Sequence, residues 1–168
     1  SFYGMDRWQY VHIHDKYPGE IQFDPSLISV VGIDIEVDTE DGYPIIEQAD
    51  KKITAITVRR RNQRVVFGYG PFIPPDKSII YVRCDDEIQL LTRFLMLWEK
   101  YDPDVITGWN VDGFDIPYIV NRISRLLGET QAKKLSPWGI LRDRKVFSHG
   151  KEITIYNPVG ISVLDYQN

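Results

Sequence analysis

Cysteine is nearly absent: Cys84 stands alone among 168 residues. No internal disulfide can form, and the usage is compatible with a reducing cytosol. Cys84 itself reads as a small buried or strand-end residue. No apolar run approaches the roughly 18 residues of a membrane span, and the N-terminus lacks a signal-peptide profile. The expected location is the cytoplasm, with no membrane partner. Cationic excess is missing too. A net charge of −4 gives no basic footprint for a polyanion, which counts against duplex binding through global electrostatics. It does not count against acids that act on a polyanion through divalent cations, because bound cations invert the local charge. What the chain does have is ordinary: 43% hydrophobic and 26% charged residues, the composition of a soluble globular protein. Its length fits one domain that buries roughly 70% of its unfolded surface. Of the ten tyrosines and four tryptophans, most belong to a core, and a few exposed ones would be free to stack on bases.

The chain is organised around SVVGIDIEV at 29–37, which reads as one largely buried β-strand rich in β-branched residues. Asp34 and Glu36 interrupt it two apart. A strand has a side-chain period of two, so both carboxylates project from one face while Ile33, Ile35 and Val37 point into a core. An unpaired carboxylate in an apolar strand needs compensation, and bound cations are the usual form. Spacing alone says little. With 24 acids in 168 residues, an acid-x-acid pair arises by chance roughly three times, and Glu36/Asp38, Asp38/Glu40 and Asp102/Asp104 are others. The apolar strand around Asp34 and Glu36 is what sets that pair apart as a candidate metal site.

Taken in order, residues 1–22 are aromatic and turn-rich, with YPGE at 17–20 as a turn; Met5, Trp8, Tyr10 and Tyr17 need cover. Residues 1–28 are expected to be an entry segment from a preceding domain, and 29–168 the principal domain. After Val37 a polar loop with turn chemistry carries Tyr43, either a base-stacking contact or a lid over the core edge. Strands follow at 53–60, 64–69 and 79–83, the first two a hairpin around Arg61-Asn62. Asp86, with Gln89 three residues on, opens an amphipathic helix reaching about Tyr101, its stripe being Ile88, Leu91, Phe94, Leu95 and Trp98. Asp102-Pro-Asp stops it. A short strand at 105–108 leads through a tight loop at 110–114 to a helix with Ile119, Ile123 and Leu126 on its buried face and Gly128 at its end. Residues 131–144 are basic and expected to be a solvated surface. Val146-Phe147 and 152–156 flank a hairpin turn at 148–151, and 160–164 is a further strand. Asp165 would cap a helix beyond it.

Asp115 opens the second helix. It is either a simple N-cap or, if its strand neighbours the acidic one, a third carboxylate converging with Asp34 and Glu36. Three carboxylates around hard divalent cations are the protein's share of a two-metal phosphoryl-transfer site.

Two stretches now resemble known motifs. VVGIDIEV at 30–37 resembles the Asp-x-Glu first exonuclease motif of family B DNA polymerases, and ITGWNVDGFDIPYIVNR at 106–122 their Asn-x-x-x-Phe-Asp second motif. YPGEI at 17–21, EDGYP at 40–44 and VGISVLDY at 159–166 extend the likeness over nearly the whole chain, nearest to the T-even phage type. The resemblance implies an α/β, RNase H-like mixed β-sheet flanked by helices. It implies a 3′–5′ proofreading exonuclease that uses two divalent cations, Mg²⁺ or Mn²⁺. By position, Asp34 bridges both ions, Glu36 ligates the one that carries the attacking water, and Asp115 holds the second. Asn110 and Phe114 contact the terminal nucleotides, and Tyr43 sits where the family places another aromatic wedge. The segment 142–156 resembles the hairpin that helps separate primer from template. Expected partners are the 3′ end of single-stranded DNA or primer-template DNA, and the polymerase domains of a longer parent chain. The third motif, Tyr-x-x-x-Asp, lies outside this sequence, so the chain is expected to carry a partial exonuclease domain with weak metal binding and activity. The alternatives from other classes are a nucleic-acid-binding or structural module whose acids do no chemistry, and another RNase H-like nuclease.

Overall fold

The computed structural model describes residues 8–20, 22–148 and 151–167. Among these, strands β1 Val30–Val37, β2 Ile53–Arg60, β3 Gln63–Gly68, β4 Ile79–Arg83, β5 Val105–Gly108, β6 Leu141–Ser148, β7 Lys151–Pro158 and β8 Ser162–Asp165 alternate with helices α1 Trp8–Lys16, α2 Glu87–Tyr101, α3 Ile116–Leu127 and α4 Glu129–Ala132. Six strands form a mixed sheet in the order β4-β3-β2-β1-β5-β8; β6 and β7 form a separate antiparallel hairpin. Both β1–β5 and β5–β8 are parallel pairs, so their carboxyl ends lie at one edge of the sheet, where α/β folds place ligands. This is the mixed α/β architecture expected of an RNase H-like domain.

One face of the sheet is packed and the other is open. Val31, Ile33 and Ile35 of β1, Ile56 and Val58 of β2, and Val65 and Phe67 of β3 are buried in one core with α2 and α3. Phe67 meets Phe94 edge-on at 6.4 Å. The alternation comes from the two-residue period of a strand, and it corrects the expectation of a largely buried strand: Val30 is 45% exposed, and Asp34 and Glu36 are exposed. The two carboxylates therefore carry no burial cost in this chain.

Helix α2 begins as its sequence predicts. Asp86 accepts the Gln89 amide at 2.8 Å, while the Gln89 side chain reaches Asp85 N–H at 3.1 Å, one residue further back than a capping box. Its buried stripe departs from expectation at the first turn: Ile88 is exposed, and Glu87 and Leu90 are buried. Glu87 is tolerated because Arg122 of α3 forks onto it, with Nη2 donating to Oε2 at 2.6 Å and Nε to Oε1 at 2.8 Å. Asp102, at a left-handed φ of 42°, ends the helix.

Helix α3 also fixes the loop that precedes β2. Tyr118 Oη donates to Lys51 O, Asn121 Nδ2 to Ile46 O, Arg122 Nη1 to Ala49 O and Arg125 Nη1 to Gln48 O. Residues three, four and seven apart share one helix face, so a single polar stripe holds the carbonyls of four residues of irregular backbone. Tyr156 Oη of β7 donates to Asn121 Oδ1 at 2.8 Å, which ties the hairpin to the same helix.

Elsewhere the reading needs smaller corrections. The aromatic N-terminal stretch contains α1, none of whose residues is buried, and Trp8, Tyr10 and Tyr17 remain exposed; Met5 lies outside the described residues. The segment 131–144 is not simply a solvated surface, since Ala132, Leu135 and Ser136 are buried and its last residues belong to β6. The hairpin is longer than predicted, and residues 149 and 150 of its turn lie outside the described residues. Cys84 is buried just past β4, and desolvation raises its thiol pKa. Among the described residues no helix is long and apolar enough to cross a membrane.

Candidate exonuclease site

Asp115 comes beside β1 where β5 stops short. Strand β5 pairs with β1 only through Gly32 and ends at Gly108, where a Cβ would stand 2.8 Å from the Ile33 carbonyl oxygen; glycine allows this close approach. The chain then turns through Asn110, at φ 52° and ψ 25°, into a wide π-helical turn over Val111–Asp115. Such turns are uncommon and concentrate at functional sites.

Asp115 lies inside helical backbone (φ −61°, ψ −53°) and makes no capping bond, so the helix-cap alternative is set aside. Its Oδ1 accepts the Ile35 amide at 2.9 Å, a β1 donor beyond the last β5 pairing. This places the carboxyl beside the strand segment that carries Asp34 and Glu36. Asp115 is only 4% exposed. Burial, reinforced by the charges of Asp34 and Asp165 and opposed by the Ile35 hydrogen bond, pushes its pKa up to about 7.

Among the described residues none of Asp34, Glu36 and Asp115 has a lysine or arginine within ion-pair distance. All their donor atoms are carboxylate oxygens, the chemistry hard divalent cations select. A buried carboxyl crowded by like charge gains most from a cation, so the donor set fits one. Yet among the described residues no three acid, histidine or cysteine side chains stand close enough together to enclose an ion unaided.

Asn110 and Phe114 belong to the turn that leads to Asp115, and Tyr43 to the loop after β1. Asn110 is half-buried, and its side chain lies against Gly113, where a Cβ would collide with Oδ1. Phe114 is half-buried and stacks on Tyr118, with ring centroids 5.6 Å apart and 26° between planes. Tyr43 is 91% exposed, which removes the core-lid alternative. Two further residues border this loop. Trp109, 68% exposed, precedes Asn110. Asp165 ends β8 opposite Gly108 and binds the second-motif loop.

Comparison with known proteins gives a consistent result. The family profile described as "DNA polymerase family B, exonuclease domain" matches residues 11–168. The DNA-directed DNA polymerase of Escherichia phage RB69 is 35% identical over 97% of this chain and 21% of its own length. That of Enterobacteria phage T4 is 31% identical over the same shares. A DNA polymerase of guinea pig cytomegalovirus is 30% identical over 60% of the chain and 8% of its own. The chain thus spans about a fifth of the length of the phage relatives.

Proposed function

Because the chain belongs to the exonuclease-domain family of family B DNA polymerases, we propose that it is the 3′–5′ proofreading region of a DNA-directed DNA polymerase. The reaction is hydrolysis of the last phosphodiester of single-stranded DNA, releasing a nucleoside monophosphate. The observation that carries this reading is the buried Asp115 carboxyl on the Ile35 amide, flanked in sequence by Asp34 and Glu36 on β1. It joins the two exonuclease motifs at the carboxyl edge of parallel strands.

Asp34, Glu36 and Asp115 are the residues that would hold two divalent cations, Mg²⁺ or Mn²⁺. When bound, such cations supply an activated water and neutralise charge on the departing oxygen. Ile35 N–H holds Asp115 Oδ1 and ties this carboxyl to β1. Asn110 and Phe114 orient the terminal nucleotide, and Tyr43 offers a stacking face to a neighbouring base. A frayed end reaches the site most readily, since unpairing costs least where pairing is already poor. We further propose that residues 1–28 are an entry segment from a preceding domain, a reading supported by the exposed Trp8, Tyr10 and Tyr17. Action in a bacterial host's cytoplasm, beside the remaining polymerase domains, completes the proposal.

The test is Mn²⁺-dependent shortening of a labelled single-stranded oligonucleotide, alongside Asp34→Ala. Stepwise loss of 3′ nucleotides by the native chain, abolished by the substitution, is the expected result. Cleavage of a circular substrate would point instead to an endonuclease. Binding of DNA without cleavage, even by a longer chain that includes the Tyr-x-x-x-Asp motif, would favour the binding module.

A further inference from the structure

The shape of the second-motif loop depends on a residue that the proposed chemistry leaves unused. The Asp165 carboxylate gathers three main-chain amides: Oδ1 accepts Asn110 N–H at 2.9 Å and Gln167 N–H at 2.8 Å, and Oδ2 accepts Asp112 N–H at 2.9 Å. The bond to Gln167 is what an aspartate at the end of a strand makes locally. The other two reach across 55 and 53 residues of sequence.

Both of those amides belong to the entrance of the helical turn, where N–H groups have no intrahelical acceptor. The turn's own cap residue, Asn110, supplies no side-chain hydrogen bond to it. Asp165 therefore acts as a cap provided from another strand, an anion at the positive end of the turn. It also braces Asn110 in its left-handed conformation, which side chains other than glycine adopt uncommonly. From that kink, five residues of turn carry the chain to Asp115 and the Ile35 amide.

We propose that Asp165 is a positioning residue of the exonuclease site: it sets the direction of Asn110 and Asp115 by holding the loop amides, without touching substrate or metal. This inference rests on the reading of Asp34, Glu36, Asp115, Asn110 and Phe114 as that site. Asp165→Asn keeps one acceptor oxygen and turns an NH₂ group toward an amide hydrogen, whereas Asp165→Ala removes both acceptors.

The experiment measures amide hydrogen exchange and Mn²⁺-dependent cleavage of a single-stranded oligonucleotide on the same samples. In Asp165→Ala, exchange at Asn110 and Asp112 is expected to accelerate by at least about tenfold while Val31 and Ile106 in the core keep their protection. Cleavage is expected to fall by up to about 100-fold, as for a small misplacement of reacting groups, with Asp165→Asn intermediate in both. The asparagine variant keeps the comparison decisive if alanine unfolds the chain. Unchanged exchange at the two amides overturns the proposal. So does faster exchange with unaltered cleavage, which would make Asp165 a structural latch only. A native chain that neither cuts nor binds Mn²⁺ sinks the exonuclease reading and the positioning role with it; exchange at the two amides then separates that failure from failure of the latch.

Discussion

Replacing Asp115 by asparagine separates the cost of the site from its use. The Asp115 carboxyl has its pKa raised from the ordinary 3.8 to about 7, first by burial and then by the charge of Asp34. A folded-state pKa above the unfolded one means that the folded chain binds more protons in the interval between them. Stability therefore falls as pH rises from about 4 to about 7, and the loss is complete above that. Each tenfold change in proton affinity is worth about 1.4 kcal/mol, so the full rise corresponds to about 4 kcal/mol at pH 8. Asparagine keeps an oxygen for the Ile35 amide and carries no charge. In urea titrations with EDTA near pH 8, Asp115→Asn should be more stable than the native chain by up to about 4 kcal/mol, the gap closing toward pH 4. Saturating Mn²⁺ at pH 8 should stabilise the native chain and leave the variant unmoved. A difference between the two proteins that stays constant from pH 5 to pH 8, or a variant that is less stable at pH 8, would refute the reasoning.

Removing one half of the Glu87–Arg122 pair, whose side chains are each 9% exposed, leaves a buried charge alone. Arg122→Met should cost about 3–5 kcal/mol in urea, and adding Glu87→Gln should restore more than half of that. Tyr43→Ala should change stability by less than about 0.5 kcal/mol yet weaken binding of a single-stranded oligonucleotide by about 1–3 kcal/mol in fluorescence anisotropy; equal affinity would make Tyr43 an idle loop residue. Gly108→Ala drives a methyl to 2.8 Å from Ile33 O and 3.1 Å from Val111 Cβ, so a loss of about 1–3 kcal/mol is expected by the same titration.

Much of the fold was legible because it follows from local periodicity. The same-face geometry of Asp34 and Glu36 needs only the two-residue period of a strand, and the ends of α2 need only Asp86, Gln89 and Asp102. What periodicity cannot give is whether a second layer covers a strand face. That is why β1 reads as largely buried, whereas Val31, Ile33 and Ile35 are buried and Val37 is partly so. Glu87 was missed for a related reason. A carboxylate within an apolar stripe is tolerated only with its partner, and Arg122 is 35 residues away.

The candidate site divides along the same line. Its acids could be named from sequence, but the part each plays depends on contacts across strands. Asp115 looks like a cap until β5 is seen to end at Gly108, which leaves the Ile35 amide for it to take. Asp165 looks like a cap for whatever follows it until its second oxygen is found on Asp112. Asp112 is itself half-buried: desolvation raises its pKa, the positive charge of Arg144 on β6 opposes the rise, and the charge of Asp165 adds to it. The loop thus donates hydrogen bonds to the end of β8 on one side and feels the hairpin's charge on the other. The four acids of this edge divide by what they hold: Asp34 and Glu36 face solvent and are available to ions, Asp115 is fixed to the strand between them, and Asp165 fixes the loop that delivers it.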